Sequence, residues 1–167
     1  MSIADLTDKQ LKTLQANYDS KGLKEGGKYK LSEVLVELLR RRPSKLDTVE
    51  VVQAILKLAR ESNDNRLTYK DLWHHFYPDQ EWSGHGTQTV VKNALARVIG
   101  YCVSNSLPII TTLVVQGQTR RLSDLAITNI YKECMELGLD VGENPKHFVE
   151  VQIQSSLSLA SRDSMIL

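Results

Sequence analysis

Residues 67–115 read LTYKDLWHHFYPDQEWSGHGTQTVVKNALARVIGYCVSNSLPIITTLVV, and the spacing of apolar and punctuating residues in this stretch decides the fold. Thr68 followed by Asp71 is a capping-box pattern, in which each side chain accepts the other residue's backbone N–H. It opens a short helix carrying Leu72, Trp73 and Phe76, which must end before Pro78 because proline removes a donor and restricts the residue before it. The polar, glycine-containing segment 78–86 reads as a loop. The helix after it is the best defined in the chain. Val91, Ala94, Leu95, Val98, Ile99 and Cys102 recur at i, i+3, i+4 and i+7 and form one apolar stripe. It ends before Leu107-Pro108, and the β-branched run Ile109–Val115 reads as a strand, covered on both faces because it is apolar nearly throughout. Gln116–Thr119 is a turn.

Toward the N-terminus, Asp47 with Glu50 starts a helix that buries Val51, Val52, Ile55, Leu56 and Ala59 and is broken at Asn63-Asp64-Asn65. Leu31, Val34, Leu35, Leu38 and Leu39 form the stripe of an earlier helix stopped by Pro43. Its end, Arg40-Arg41-Arg42, places cations where the helix dipole favours them; a phosphate clamp is the alternative reading. Residues 21–28 are a glycine-containing loop, and Thr7 with Gln10 caps a first helix reaching about Tyr18. Toward the C-terminus, a helix from Ser123 carries Ile127, Ile130, Tyr131, Cys134 and Leu137, with Gly138 as its C′ residue. A last helix starts near Pro145 and carries Phe148 and Val151. The serine-rich end, 155–167, is expected to fray.

The chain of 167 residues is the size of one domain, and 41% apolar with 25% charged residues is ordinary for a globular protein. At 6% aromatics the core is expected to be aliphatic. A net charge of +1 lacks the large positive excess of a dedicated non-specific nucleic-acid binder, so DNA binding would depend on a local patch. Cys102 and Cys134 have neither disulfide-framework nor zinc spacing, which points to a reducing, cytoplasmic location. The opening MSIADLTDKQ has no apolar h-region, and no apolar run reaches membrane-span length, so no membrane partner is expected.

Three features of the 67–115 stretch carry a resemblance. Tyr69 opens its first helix, Ala96-Arg97-Val98-Ile99-Gly100 lies on its second, and Asn105 and Leu107-Pro108-Ile109-Ile110 lead into the strand. This order resembles the C-terminal, DNA-binding domain of the O6-alkylguanine DNA alkyltransferases and alkyltransferase-like proteins. The resemblance implies a winged-helix-like body with a helix-turn-helix. It also implies that Tyr69 presses on the phosphate of a flipped nucleotide and that Arg97 fills the gap in the base stack. Pro108 matches the proline ahead of the family's active-site strand. The family's Pro-Cys-His-Arg is absent, Thr111-Thr112-Leu113 standing there instead, and Lys70 occupies a position where the family usually has glycine. The whole chain is also similar to a group of bacterial proteins of comparable length, through Leu6–Tyr18, Val36–Arg41, Leu67–Tyr69, Leu113–Val115 and Phe148–Gln152. That similarity implies one domain and no particular activity.

The expected fold is therefore mainly α with a small β element: a winged-helix-like core with extra N- and C-terminal helices. Residues 1–45 read as a helical hairpin, 46–160 as the body and 161–167 as a flexible tail. The first turns of a recognition helix face the groove, which puts Gln88, Thr89, Lys92, Asn93 and Arg97 forward as DNA contacts, with Arg120 and Arg121 as a wing on phosphate; a solvated helix face and turn would look the same. Trp82 in its polar loop reads as an anchor for a protein partner or as packed over the helix pair. His74, His75 and His85 do not form a ligand set, and both cysteines read as small core hydrophobes. No catalytic group, metal or cofactor is expected. The function that follows is a non-enzymatic, DNA-interacting protein, with regulatory, genome-defence and mobile-element roles left open; the alternative is a protein–protein adaptor or inhibitor on the same fold.

Overall fold

The computed structural model describes residues 1–162; the remainder of the tail, 163–167, lies outside the described residues. The protein is mainly α with one small sheet. Its elements are a 3-10 turn Ile3–Asp5, α1 (Asp8–Lys21), α2 (Leu31–Arg40), α3 (Thr48–Glu61), β1 (Leu67–Thr68), α4 (Tyr69–Phe76), α5 (Gly84–Ser104), a second 3-10 turn Ile110–Leu113, β2 (Val114–Val115), α6 (Asp124–Glu136) and α7 (Pro145–Ala160).

The caps are made by the residues whose chemistry suits them. Thr7, Asp47, Thr68, Ser123 and Asn144 each accept a backbone N–H from three residues on, satisfying a donor that the helix itself leaves free. Pro145 sits in the first turn of α7, where its missing N–H costs nothing. At the far end of α6, Gly138 takes φ 87°, and Leu139 N–H and Gly138 N–H return to the carbonyls of Cys134 and Met135, the paired bonds of a Schellman ending.

α3 is the hub. It packs against α4, α5, α7 and the 3-10 turn 110–113, and its Val51, Ile55 and Ala59 are completely shielded from solvent. Burying Val51 and Ile55 contributes roughly 1.5–3 kcal/mol each over exposure. α5 is shared between two layers. Val91, Ala94, Val98 and Cys102 face the core, while α2 crosses the opposite flank. Gly100 allows that crossing: a β-carbon there would lie 3.2 Å from Leu39 Cβ and 3.3 Å from Arg40 Cγ.

Three expectations change. The strand expected over Ile109–Val115 is buried throughout, as its composition demands, but only Val114 and Val115 are extended. Ahead of them Thr112 turns the chain, donating both N–H and Oγ1 to the Ile109 carbonyl at 3.1 and 2.8 Å, and this local bonding competes with a ladder. Val114 and Val115 pair in parallel with Leu67 and Thr68, and among the described residues no hairpin wing extends from that pair. The loop expected over 78–86 is shorter, because α5 already begins at Gly84. Finally, residues 155–160 do not fray: α7 runs to Ala160, with Ser156 fully buried and Leu159 and Ala160 nearly so.

Candidate nucleic-acid interface

The geometry of the α4–α5 helix pair is set by the turn 77–83 between them. Trp73, 5% exposed, donates its indole N–H to the Gln80 carbonyl at 3.1 Å. Tyr77 and Trp82 lie on it with ring centroids 4.4 and 6.3 Å away. Trp82 is thus half-buried against the core, the packed arrangement of the two that the sequence left open, and it does not stand out as a free anchor.

Beyond this turn the first turns of α5 leave the core, and Gln88, Thr89 and Lys92 are exposed on them. The next candidates along the helix lie on the side facing α2. Asn93 Oδ1 accepts a hydrogen bond from Arg42 Nε at 2.9 Å. Arg97 is half-buried between that contact and the close approach at Gly100, and its Nε is enclosed without a partner. Asn93, Arg97 and Gly100 share one face at i, i+4 and i+7, and α2 covers that face at both ends. Arg97, to which the alkyltransferase resemblance gives the base-stack role, thus lies on the α5 face turned toward α2. Tyr69, the first residue of α4, is half-buried against the core, and burial pushes its hydroxyl up from its ordinary range.

The Arg120-Arg121 pair divides into two roles. Arg120 adopts φ 52°, and its guanidinium forms a fork on Asp64, Nε to Oδ2 at 2.6 Å and Nη2 to Oδ1 at 2.8 Å. Nη2 also reaches the Arg66 carbonyl at 3.1 Å and Ser62 Oγ at 3.2 Å. Arg120 is therefore a staple between the turn after α3 and the turn after β2. Arg121 remains exposed. Sequence reading missed the staple because its partner lies 56 residues away. The fork and the Ser62 hydroxyl hold the Asp64 carboxyl well below the usual carboxylate range. A carboxylate with a lowered native pKa stabilises fully above its unfolded value near 4 and loses that contribution as acid is added below it. Both side chains are 40% exposed, so water screens the pair and the contribution is about 1 kcal/mol. Asp64→Asn should lower stability by that amount at pH 7, and the gap to the parent in urea midpoint should narrow below about pH 4. A gap that is constant with pH would show that the charge of Asp64 is immaterial.

The arginines closing α2 are also internal. Arg41 donates to Glu37, Asp8 and the carbonyls of Ala4 and Leu6, binding the N-terminal 3-10 turn to α2. With Arg42 on Asn93 and Arg40 Nη1 on Glu37 at 3.5 Å, each of the three cations has a partner within the fold. Burial pushes Cys102 up to about 11 and Cys134 up to about 12, which keeps both thiols protonated and inert. His85 and His75 are exposed, and among the described residues no three metal-ligating side chains converge. No described helix is long and apolar enough to cross a membrane.

No family model matches this chain, and neither a curated protein nor a solved structure matches it.

Proposed function

We propose that the protein is a DNA-interacting, non-enzymatic helix-turn-helix module of the cell's reducing interior, acting by binding and descended from an alkyltransferase-type scaffold. The observation that carries this reading is the exposed start of α5, where Gln88, Thr89 and Lys92 stand outside the core after a rigid aromatic turn. These side chains are donors and acceptors of the kind that reach base edges and phosphates. Asn93 and Arg97 lie on the α5 face turned toward α2, so this reading places the contact on the first turns of the helix. A gel-shift titration at low salt with intact, mismatched and alkylated duplexes tests it. Binding in the range of about 1–50 µM is expected, weakened at least fivefold by Lys92→Glu. Absence of a shift at about 50 µM, or indifference to Lys92→Glu, would sink it.

A protein-adaptor reading is favoured by one observation, the 70% exposure of Leu125 in the first turn of α6. Co-purification of a stable protein partner, lost on Leu125→Asp and accompanied by no duplex shift, would decide for the adaptor.

A further inference from the structure

We infer that Arg66, Arg121 and Lys146, gathered around the cleft beside the Arg120–Asp64 staple, bind the phosphate backbone of the duplex that α5 contacts; this rests on the DNA-binding reading above. The cleft has a volume of about 680 Å³ and lies between the turn after β2 and the first turns of α6 and α7. Its wall is apolar, formed by Val115, Leu122, Ile127, Val149 and Ile153. Its rim is charged, and the charges have been sorted by the fold. Asp64 is consumed by Arg120. Arg66, Arg121 and Lys146 take part in no ion pair among the described residues. The opposing carboxylates on the rim are Asp124, in the first turn of α6 where the helix dipole offsets it, and Glu150, which accepts a hydrogen bond from Gln154 at 2.9 Å.

The staple explains why the cations meet. Arg120 holds the backbone carbonyl of Arg66 and is itself the neighbour of Arg121, so the chain before β1 and the chain after β2 are fixed side by side. α7 packs on α6 and brings Lys146 to the same cleft. Three residues beyond Arg66 the chain enters α4 at Tyr69, the first helix of the pair. The cleft therefore lies beside the chain that leads through β1 into α4, and the first helix of a helix-turn-helix crosses the sugar–phosphate backbone. An open rim on which the unpaired cations Arg66, Arg121 and Lys146 outnumber the carboxylates of Asp124 and Glu150 suits a phosphodiester backbone, which needs positioning charges and not deep enclosure. Arg66 and Lys146 carry no sequence signal for this; only the fold puts them beside Arg121.

The test is a salt titration of duplex affinity with the full chain and the variant Arg66→Ala/Arg121→Ala/Lys146→Ala. None of these side chains takes part in the Arg120–Asp64 fork, so the variant should melt with the parent. Arg66→Lys/Arg121→Lys, which keeps the charges, serves as a second comparison. Removing three phosphate contacts should weaken binding at least about tenfold at 50 mM salt, equally for all duplex sequences, and should flatten the slope of log affinity against log salt by roughly 2 to 3; the lysine variant should keep the parent slope. Unchanged affinity and slope in the alanine variant would overturn the inference and leave the α5 reading standing. Absence of duplex binding by the unaltered protein would overturn both. Micromolar binding of inorganic pyrophosphate that the alanine variant loses, with duplex binding intact, would assign the cleft to a free polyphosphate anion and equally overturn it.

Discussion

Trp73→Ala is expected to lower the stability of the protein by about 3–5 kcal/mol, the range for deleting a large aromatic from a well-packed core. Three separate losses contribute. The indole is 5% exposed and sits in the cluster with α3 and α5, so its removal opens a cavity between the hub and both helices of the pair. The Gln80 carbonyl loses its N–H donor inside the turn. Tyr77 and Trp82, which rest on the indole at 4.4 and 6.3 Å, lose their support. The whole domain is stabilised by only about 5–15 kcal/mol, so this one substitution removes a large share of it. Trp73→Phe separates the terms: it keeps most of the apolar volume and drops the hydrogen bond, and should cost about 1–2 kcal/mol. Urea unfolding of the two variants measures both. In native conditions Trp73→Ala should also weaken any duplex shift, because the turn that aims α5 is no longer tied down. A loss below about 1 kcal/mol for the alanine variant would mean that the turn 77–83 is organised by something other than this side chain.

What was legible in the sequence was local. The Thr68/Asp71 box, the stripe from Val91 to Cys102, the Pro145 start and the Gly138 ending depend on residues within one or two turns of each other, and all four form as their chemistry dictates. What was not legible depends on partners far away in the chain. The run Ile109–Val115 has strand composition, but composition cannot supply a partner, and among the described residues the one strand it meets is the two-residue β1. Thr112 then bonds to Ile109 and the rest of the run coils instead. Ser156 shows the reverse error: serine-rich composition suggested a frayed end, yet Ile153, Ser156 and Ala160 at i, i+3 and i+7 keep α7 on the core. The candidate site fails to read out for the same reason. Adjacent arginines look alike in sequence, but Arg120 meets Asp64 56 residues away and Arg42 meets Asn93 51 residues away. Those long-range contacts decide which cations belong to the scaffold and which, such as Arg121 and Lys92, remain available to a ligand.

Gly138→Ala is the second substitution with a large expected effect, about 2–3 kcal/mol, and it tests how α2 is joined to α6. At φ 87° an alanine carries the left-handed penalty of roughly 1–2 kcal/mol. Its β-carbon would also lie 2.9 Å from Ser32 Cβ and 3.1 Å from Ser32 Oγ, closer than packed carbons approach. Ser32 is in the first turn of α2, so the clash pushes α2 away from the end of α6. The two terms can be separated by a double-mutant cycle with Ser32→Gly. On its own Ser32→Gly removes a side chain from a helix start and should cost about 0.5 kcal/mol. In the Gly138→Ala background it removes the atoms in the way, so the double variant should recover about 1 kcal/mol of the loss and keep only the backbone strain. Urea midpoints of the four proteins measure the coupling. If the two losses simply add, the contact between the α2 start and the α6 ending is not formed in solution, and α2 is held chiefly on α5, through the close approach at Gly100 and the Arg42–Asn93 bond.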